Sequence, residues 1–375
     1  MMNHILRADQ TLFRDRDVFE IDHMPDEFPF RDAQLKELAF AIRPVLHGSR
    51  PLNTVLRGLP GTGKTTSVKR LFAEVGETTR RVVPVYVNCQ NDRTLFAVFA
   101  TIFARLFGHI PPTTGIAFKR IMHEIGKELA RSRRVLVVCL DDANYLLHDH
   151  VLNTVLYSIL RLYEEYPGAR AGVIATLSTM DTDFSRELDG AVMSVFCPNE
   201  LYFSPYDEEE IREILLCRAR QGLFPGVLSG AMLDLVVRQT MRCGDLRVGL
   251  ELVKQAVIAA ERDARKEVVR EDVCAAFAVA KHVHLAATVK TLTAEERLLL
   301  RLLAELSRDG GVEMASGAVY AAVKERMPMS YTLFYERVRK LDELRLIDVH
   351  RRPGRGRTRE IVLRYGPEEV MEACG

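Results

Sequence analysis

The chain has 375 residues, 47% of them hydrophobic and 27% charged, with a formal net charge of +1. This excludes a disordered chain, and the length points to two or three domains. Seven cysteines are scattered without a Cys-x-x-Cys pair, and there is neither an apolar signal region nor a run approaching about 18 apolar residues. Reduced core thiols, a cytoplasmic location and no membrane partner are therefore the expectation.

A polar lead-in reaches Phe28-Pro29-Phe30-Arg31, and a helix follows with Leu35, Leu38, Ala39 and Ile42 at helical spacing. Asn53-Thr54-Val55-Leu56 reads as a short buried strand. Behind it, Gly58-Leu59-Pro60-Gly61-Thr62-Gly63-Lys64-Thr65 fits G-x-x-x-x-G-K-[ST], and a helix over 66–75 places Val68, Leu71, Phe72 and Val75 on one face. Glycines let the backbone curl so that successive N–H groups and the helix N-terminus face one anion. Pro60, Gly61, Thr62, Gly63, Lys64, Thr65 and Thr66 are the candidate phosphate contacts. Lys64 would pair with the β- and γ-phosphates, and the Thr65 hydroxyl would hold Mg²⁺. A plain strand-to-helix turn would not also require Lys-Thr at the helix start.

Strand-like runs at 82–88, 135–140 and 172–177 alternate with amphipathic stretches up to about residue 205, the pattern of a parallel sheet in an α/β domain. The run Val135-Leu136-Val137-Val138-Cys139-Leu140 ends in Asp141-Asp142. Asp141 is the candidate Mg²⁺ support opposite Thr65, and Asp142 would orient or deprotonate the attacking water. Alternatively the two aspartates simply end a strand and open a turn.

Strand signals stop at Pro205. Four helices can be read at 207–220, 228–242, 245–264 and 270–284, with Asp207 and Glu210 forming a variant capping box at the first. Ile211, Ile214, Leu215 and Arg218 share one face, so the Arg218 charge needs a partner there: a nucleotide phosphate or a neighbouring carboxylate. Tyr206 could lie against a base or in the core. Asp245 reads as an N-cap, which puts Arg247 in a first turn where the helix dipole disfavours a cation. A bound anion would explain it, as would simple solvation at the surface.

From about 289, helices at 293–307, 316–327 and 330–345 precede short strands at 347–350 and 360–364, the order of a winged helix. On the third helix Phe334, Val338, Leu341 and Leu344 form the core face. Tyr331, Tyr335 and Arg339 form an aromatic and basic one. The hairpin turn runs Arg351-Arg352-Pro353-Gly354-Arg355-Gly356-Arg357-Thr358-Arg359, and charges so dense repel unless a polyanion neutralises them. Tyr331, Tyr335, Arg339, Arg355, Arg357 and Arg359 are thus candidate contacts to duplex DNA, with the helix in the major groove and the wing beside it.

Together these motifs resemble the archaeal origin-recognition type DNA replication initiators, AAA+ ATPases of the origin recognition complex and cell-division-cycle initiator family. The likeness covers nearly the whole chain. It includes Phe28-Pro29-Phe30-Arg31, the phosphate loop, Val87-Asn88-Cys89-Gln90, Leu140-Asp141-Asp142-Ala143-Asn144-Tyr145-Leu146 and Phe203-Ser204-Pro205-Tyr206. It continues through Gly244-Asp245-Leu246-Arg247 and the wing to Ile361. The resemblance implies an AAA+ base over 1–205, a helical lid over 206–288 and a winged helix over 289–375. It implies ATP or ADP with Mg²⁺ as cofactors, nucleotide contacts from Tyr206 and Arg218, and Arg247 as the lid's sensor. It also implies a DNA-touching insertion within 92–130, where Lys119 and Arg120 are available. The implied partners are origin duplex DNA, the replicative helicase and other initiator subunits.

Three departures bear on turnover. Asp142 stands where the family commonly has Glu, and Thr179 where a sensor Asn is usual. Ala191, in Leu188-Asp189-Gly190-Ala191-Val192, replaces an arginine that would reach a neighbour's γ-phosphate, unless Arg186 substitutes. Losing such a finger can cost several orders of magnitude in rate. An ATP-binding switch with weak ATPase activity at most is expected. A nucleotide-gated winged-helix transcription regulator is the alternative, and Ala191 argues against a DNA-stimulated motor.

Overall fold

The computed structural model describes residues 11–25, 27–112, 117–178, 187–311, 313–351 and 359–375. The chain divides into two units, one of residues 24–205 and one that joins the N-terminal residues to 206–375.

In the first unit β1 (Thr54–Arg57), β2 (Val82–Asn88), β3 (Val135–Asp141), β4 (Arg170–Leu177) and β5 (Asn199–Tyr202) form a parallel sheet in the order β2-β3-β4-β1-β5. Covered on both faces, β3 is buried at every position and is apolar from Val135 to Leu140. Alternate residues serve opposite layers. Val83, Val85, Leu136 and Val138 pack with helices Leu95–Phe107, Phe118–Ser132 and Leu152–Leu160. Val82, Val135, Val137 and Ile174 pack with helices Asp32–Ile42 and Lys64–Thr78. Pro84 sits within β2, which is tolerable because β2 is an edge strand and needs no ladder donor on its outer side. Since β4 lies between β1 and β3, the carboxyl ends of these strands bring Gly58, Asp141 and Ser178 to one rim. That is where parallel α/β sheets place ligands.

In the second unit the helices Glu208–Gly222, Gly230–Cys243, Leu246–Arg262 and Arg270–Lys290 come first. Asp207 and Glu210 form the expected reciprocal cap. Residues 11–23, which the sequence reading grouped with the base, pack on these helices. Phe13 bridges Leu223, the Arg14 and Asp15 amides donate to the Gly222 carbonyl, and the Glu261 carboxylate accepts from Thr11 and the Leu12 amide. Gly222 is required there, because an added Cβ would lie 2.4 Å from the Phe19 ring. The fourth helix runs past 284 to Lys290, so the boundary expected at 288 falls inside it. Leu285 and Val289 carry it into the core of the C-terminal part. Although long and apolar enough by composition to cross a membrane, this helix packs against Leu246–Arg262 and the last helix, Pro367–Cys374. Helices Ala294–Asp309, Ser316–Arg326 and Tyr331–Glu343 precede the antiparallel hairpin of β6 (Ile347–Arg351) and β7 (Arg359–Leu363).

Candidate functional site

The helix after β1 begins at Lys64, two residues earlier than the sequence suggested, so Lys64 and Thr65 occupy its first turn. Gly63 caps it with φ 92° and Gly61 turns with φ 75°, left-handed values that a side chain would resist. At Gly58 a Cβ would lie 2.5 Å from the Phe203 carbonyl oxygen, so the loop lies directly on the chain after β5. The Lys64 ammonium is buried and donates to the carbonyls of Gly58 (2.7 Å) and Leu59 (2.8 Å), while Thr62 Oγ1 donates to Leu59 O at 2.8 Å. The loop is thus a closed ring with one oriented cation and the start of a helix.

Opposite it, Thr65 Oγ1 donates to both Asp141 oxygens, at 3.0 and 2.9 Å. The buried Asp141 carboxylate also accepts from Tyr86 Oη at 2.6 Å and Thr176 Oγ1 at 2.7 Å. Three hydroxyls from three elements therefore fix it. Burial first, and then the bond to Asp141, push the Tyr86 phenol well above its ordinary range, so it remains a donor. Asp142 follows in a left-handed conformation, φ 54°, with its amide donating to Thr176 Oγ1 (2.8 Å) and its carboxylate accepting from Ser178 Oγ (2.6 Å). Among the described residues no three His, Cys, Asp or Glu side chains form a ready metal cage. An alcohol and a carboxylate in contact are hard oxygen donors and fit Mg²⁺, which usually takes one or two carboxylates and completes its shell with water and phosphate. Thr65 and Asp141 are the residues that would hold it. Magnesium there would neutralise charge on the β- and γ-phosphates. Thr179 and Arg186 lie outside the described residues.

Sequence reasoning gave no role to Arg31, Tyr86, Thr176 or Ser178. Arg31 is only 2% exposed, and its guanidinium donates to three backbone carbonyls: Thr62 (2.9 Å), Phe30 (2.8 Å) and Ser204 (2.7 Å). It ties the phosphate loop to two distant segments. The quoted Phe-Pro-Phe-Arg motif was the available signal. Arg31→Lys keeps the charge but cannot serve three divergent acceptors, and should destabilise this unit by about 3 kcal/mol. Thermal unfolding would read it, and an unchanged midpoint would refute the buttress. Near Ala191, the Arg161 guanidinium donates to the Ala191 carbonyl at 3.1 Å and pairs with Glu164 at 2.7 Å.

Tyr206, Arg218 and Arg247 belong to the second unit. Tyr206 is buried. Arg218 is buried, and its guanidinium donates to the Val18 carbonyl at 3.3 Å. Arg247 folds back on its own N-cap, with Nε 3.0 Å from each Asp245 oxygen and Nη2 2.6 Å from Oδ2. That ion pair offsets the dipole penalty on a cation in the first turn.

In the C-terminal part Ser330 caps its helix by accepting from the Leu333 amide. Tyr331 is half exposed and meets Tyr320 edge-on, with ring centroids 5.1 Å apart. The Arg359 guanidinium lies 4.9 Å over the Tyr335 ring and donates to its hydroxyl. Arg339 is exposed, Arg337 pairs with Glu295, and Lys340 pairs with Glu296. Arg355 and Arg357 lie outside the described residues. Lys119 and Arg120 are exposed in the first turn of Phe118–Ser132.

Two family models match the chain: the AAA ATPase domain over residues 27–168 and the Cdc6 AAA+ ATPase-type lid domain over residues 212–278. The chain is 44% identical over 365 residues to ORC1-type DNA replication protein 6 of Halobacterium salinarum, covering 97% of this chain and 96% of that protein. It is 42% identical over 371 residues to ORC1-type DNA replication protein 2 of Methanosarcina mazei, covering 98% of each. Among solved structures it is similar to the Aeropyrum pernix ORC1 protein in complex with DNA, with TM-score 0.66 and 30% identity, covering 98% of this chain and 97% of that one.

Proposed function

The chain belongs to the ORC1-type DNA replication proteins, AAA+ proteins that bind ATP, and from that membership we propose that it is a nucleotide-controlled initiator that binds origin duplex DNA. The observation that supports the reading is the phosphate loop with its buried Lys64, and Thr65 hydrogen-bonded to Asp141, on the same chain as an aromatic and basic helix face. In this reading Tyr206, Arg218 and Arg247 contact the nucleotide. To do so Arg247 exchanges Asp245 for a phosphate, which makes it a sensor of the bound nucleotide. The nucleotide state then governs helicase recruitment. Turnover is slow: Asp142 is short and held by Ser178, and Ala191 supplies no finger.

The C-terminal three helices and hairpin act as a winged helix. Tyr331 and Arg339 face the major groove, the stacked Tyr335–Arg359 pair holds the base of the wing, and Arg355 and Arg357 are further candidate DNA contacts by sequence. That the similar Aeropyrum pernix ORC1 protein forms a complex with DNA supports DNA binding, though not a particular element. Tyr331→Ala with Arg339→Ala should weaken origin duplex binding about 10- to 100-fold, at roughly 1–3 kcal/mol for base contacts. Titration of labelled origin duplex would read it. Equal affinity for parent and variant would remove this helix from the interface, and footprints confined to promoters would transfer the protein to transcription.

A further inference from the structure

The amino ends of the strands, opposite the phosphate loop, carry a row of arginines that nothing above uses. Arg80 and Arg81 precede β2, Arg133 and Arg134 precede β3, Arg170 opens β4, and Arg50 approaches β1. The register aligns them. Val82 pairs with Val135 and Val135 with Arg170, while the Val135 amide donates to the Arg81 carbonyl at 2.8 Å. Arg50, Arg80, Arg81, Arg133 and Arg170 are exposed. Glu128 pairs with Arg134 and Arg131, and Arg50 stacks on Tyr163, but Arg80, Arg81, Arg133 and Arg170 form no ion pair among the described residues.

Arg133 adds a second observation. It ends helix Phe118–Ser132 in a left-handed conformation, φ 53°, at a position where glycine is the unstrained choice. A bulky cation held there at a conformational cost is a sign of function.

We propose that this sheet edge is a second DNA contact, a rail for the phosphate backbone on the nucleotide-binding unit. The proposal rests on the reading of the chain as a DNA-binding initiator. At strand spacing the row covers on the order of 15 Å, or about four base pairs of duplex. Guanidinium forks match phosphate oxygens, and like charges at this density are relieved by a polyanion. Beside Arg80 and Arg133 the flanking residues Thr79 and Ser132 are polar, and Leu52, 41% exposed near Arg50, is the apolar exception at this edge.

The test uses the full chain and a random-sequence duplex over a salt series. Arg81→Glu with Arg133→Glu and Arg170→Glu should lower the slope of log affinity against log salt by about 3, because each phosphate contact contributes roughly 0.9. Arg133→Gly should lower it by about 1 while leaving the melting temperature unchanged or higher. Unchanged slopes in both variants overturn the rail. The Tyr331→Ala, Arg339→Ala protein, measured alongside, separates the two ideas: if it alone loses affinity, the rail fails and the initiator reading stands. If neither site matters to the duplex, that reading fails with it. Displacement of the duplex by polyglutamate at equal charge concentration, in the parent but not in the triple variant, would assign the edge to an acidic protein segment and overturn the proposal.

Discussion

Lys64→Ala is expected to reduce ATP and ADP affinity by about 30- to 150-fold, a loss of roughly 2–3 kcal/mol for charge-assisted bonds to phosphate. The ammonium is buried to 5% exposure and steered by the Gly58 and Leu59 carbonyls, so no other described side chain of the loop stands ready to replace it. Both carbonyls lie within the loop, so the substitution also loosens the ring that aims the backbone N–H groups. Lys64→Arg should not rescue binding, because a planar fork cannot fit where one compact ammonium sits between two carbonyls. Titration calorimetry and the nucleotide content of purified protein would read the effect, with far-UV circular dichroism to show that the helices persist. Nucleotide retained at the parent level would refute the assignment of Lys64 and, with it, the phosphate loop.

What could be read from the chain was local chemistry. The glycine spacing, Lys64, Thr65 and the strand ending at Asp141 each signal within a window of a few residues, and the structure brings them together. The capping box at Asp207 and Glu210 is local in the same sense. What could not be read depends on register and distance. Tyr86 and Thr176 reach Asp141 only because β2 and β4 flank β3 in parallel, and neither neighbour follows from spacing. Arg31 meets Thr62 and Ser204 across 31 and 173 positions. The packing of residues 11–23 on the second unit is equally non-local. The contact of Arg247 with Asp245, two residues away, is local in sequence, but a dipole argument weighs the helix end and overlooks a side chain able to fold back on its own cap.

Asp141→Asn should have the second large effect, and on two properties at once. The carboxylate now accepts from Thr65, Tyr86 and Thr176. An amide offers one accepting oxygen and turns two N–H donors toward hydroxyls that are themselves donating. At least one buried hydroxyl loses its acceptor, which costs about 1–3 kcal/mol of stability in this unit. The Mg²⁺-dependent part of ATP affinity should disappear as well: chelating the metal weakens binding in the parent and leaves the variant unchanged. A spectroscopic readout separates the two effects. Burial and then Asp141 hold the Tyr86 phenol above its ordinary range. Removing the Asp141 charge and bond should therefore lower the alkaline midpoint of this tyrosine without restoring its ordinary value, since burial remains. If the phenol responds as described while Mg²⁺ dependence survives, the carboxylate serves as an anchor for hydroxyls, and the metal is held by Thr65 and the phosphates without it.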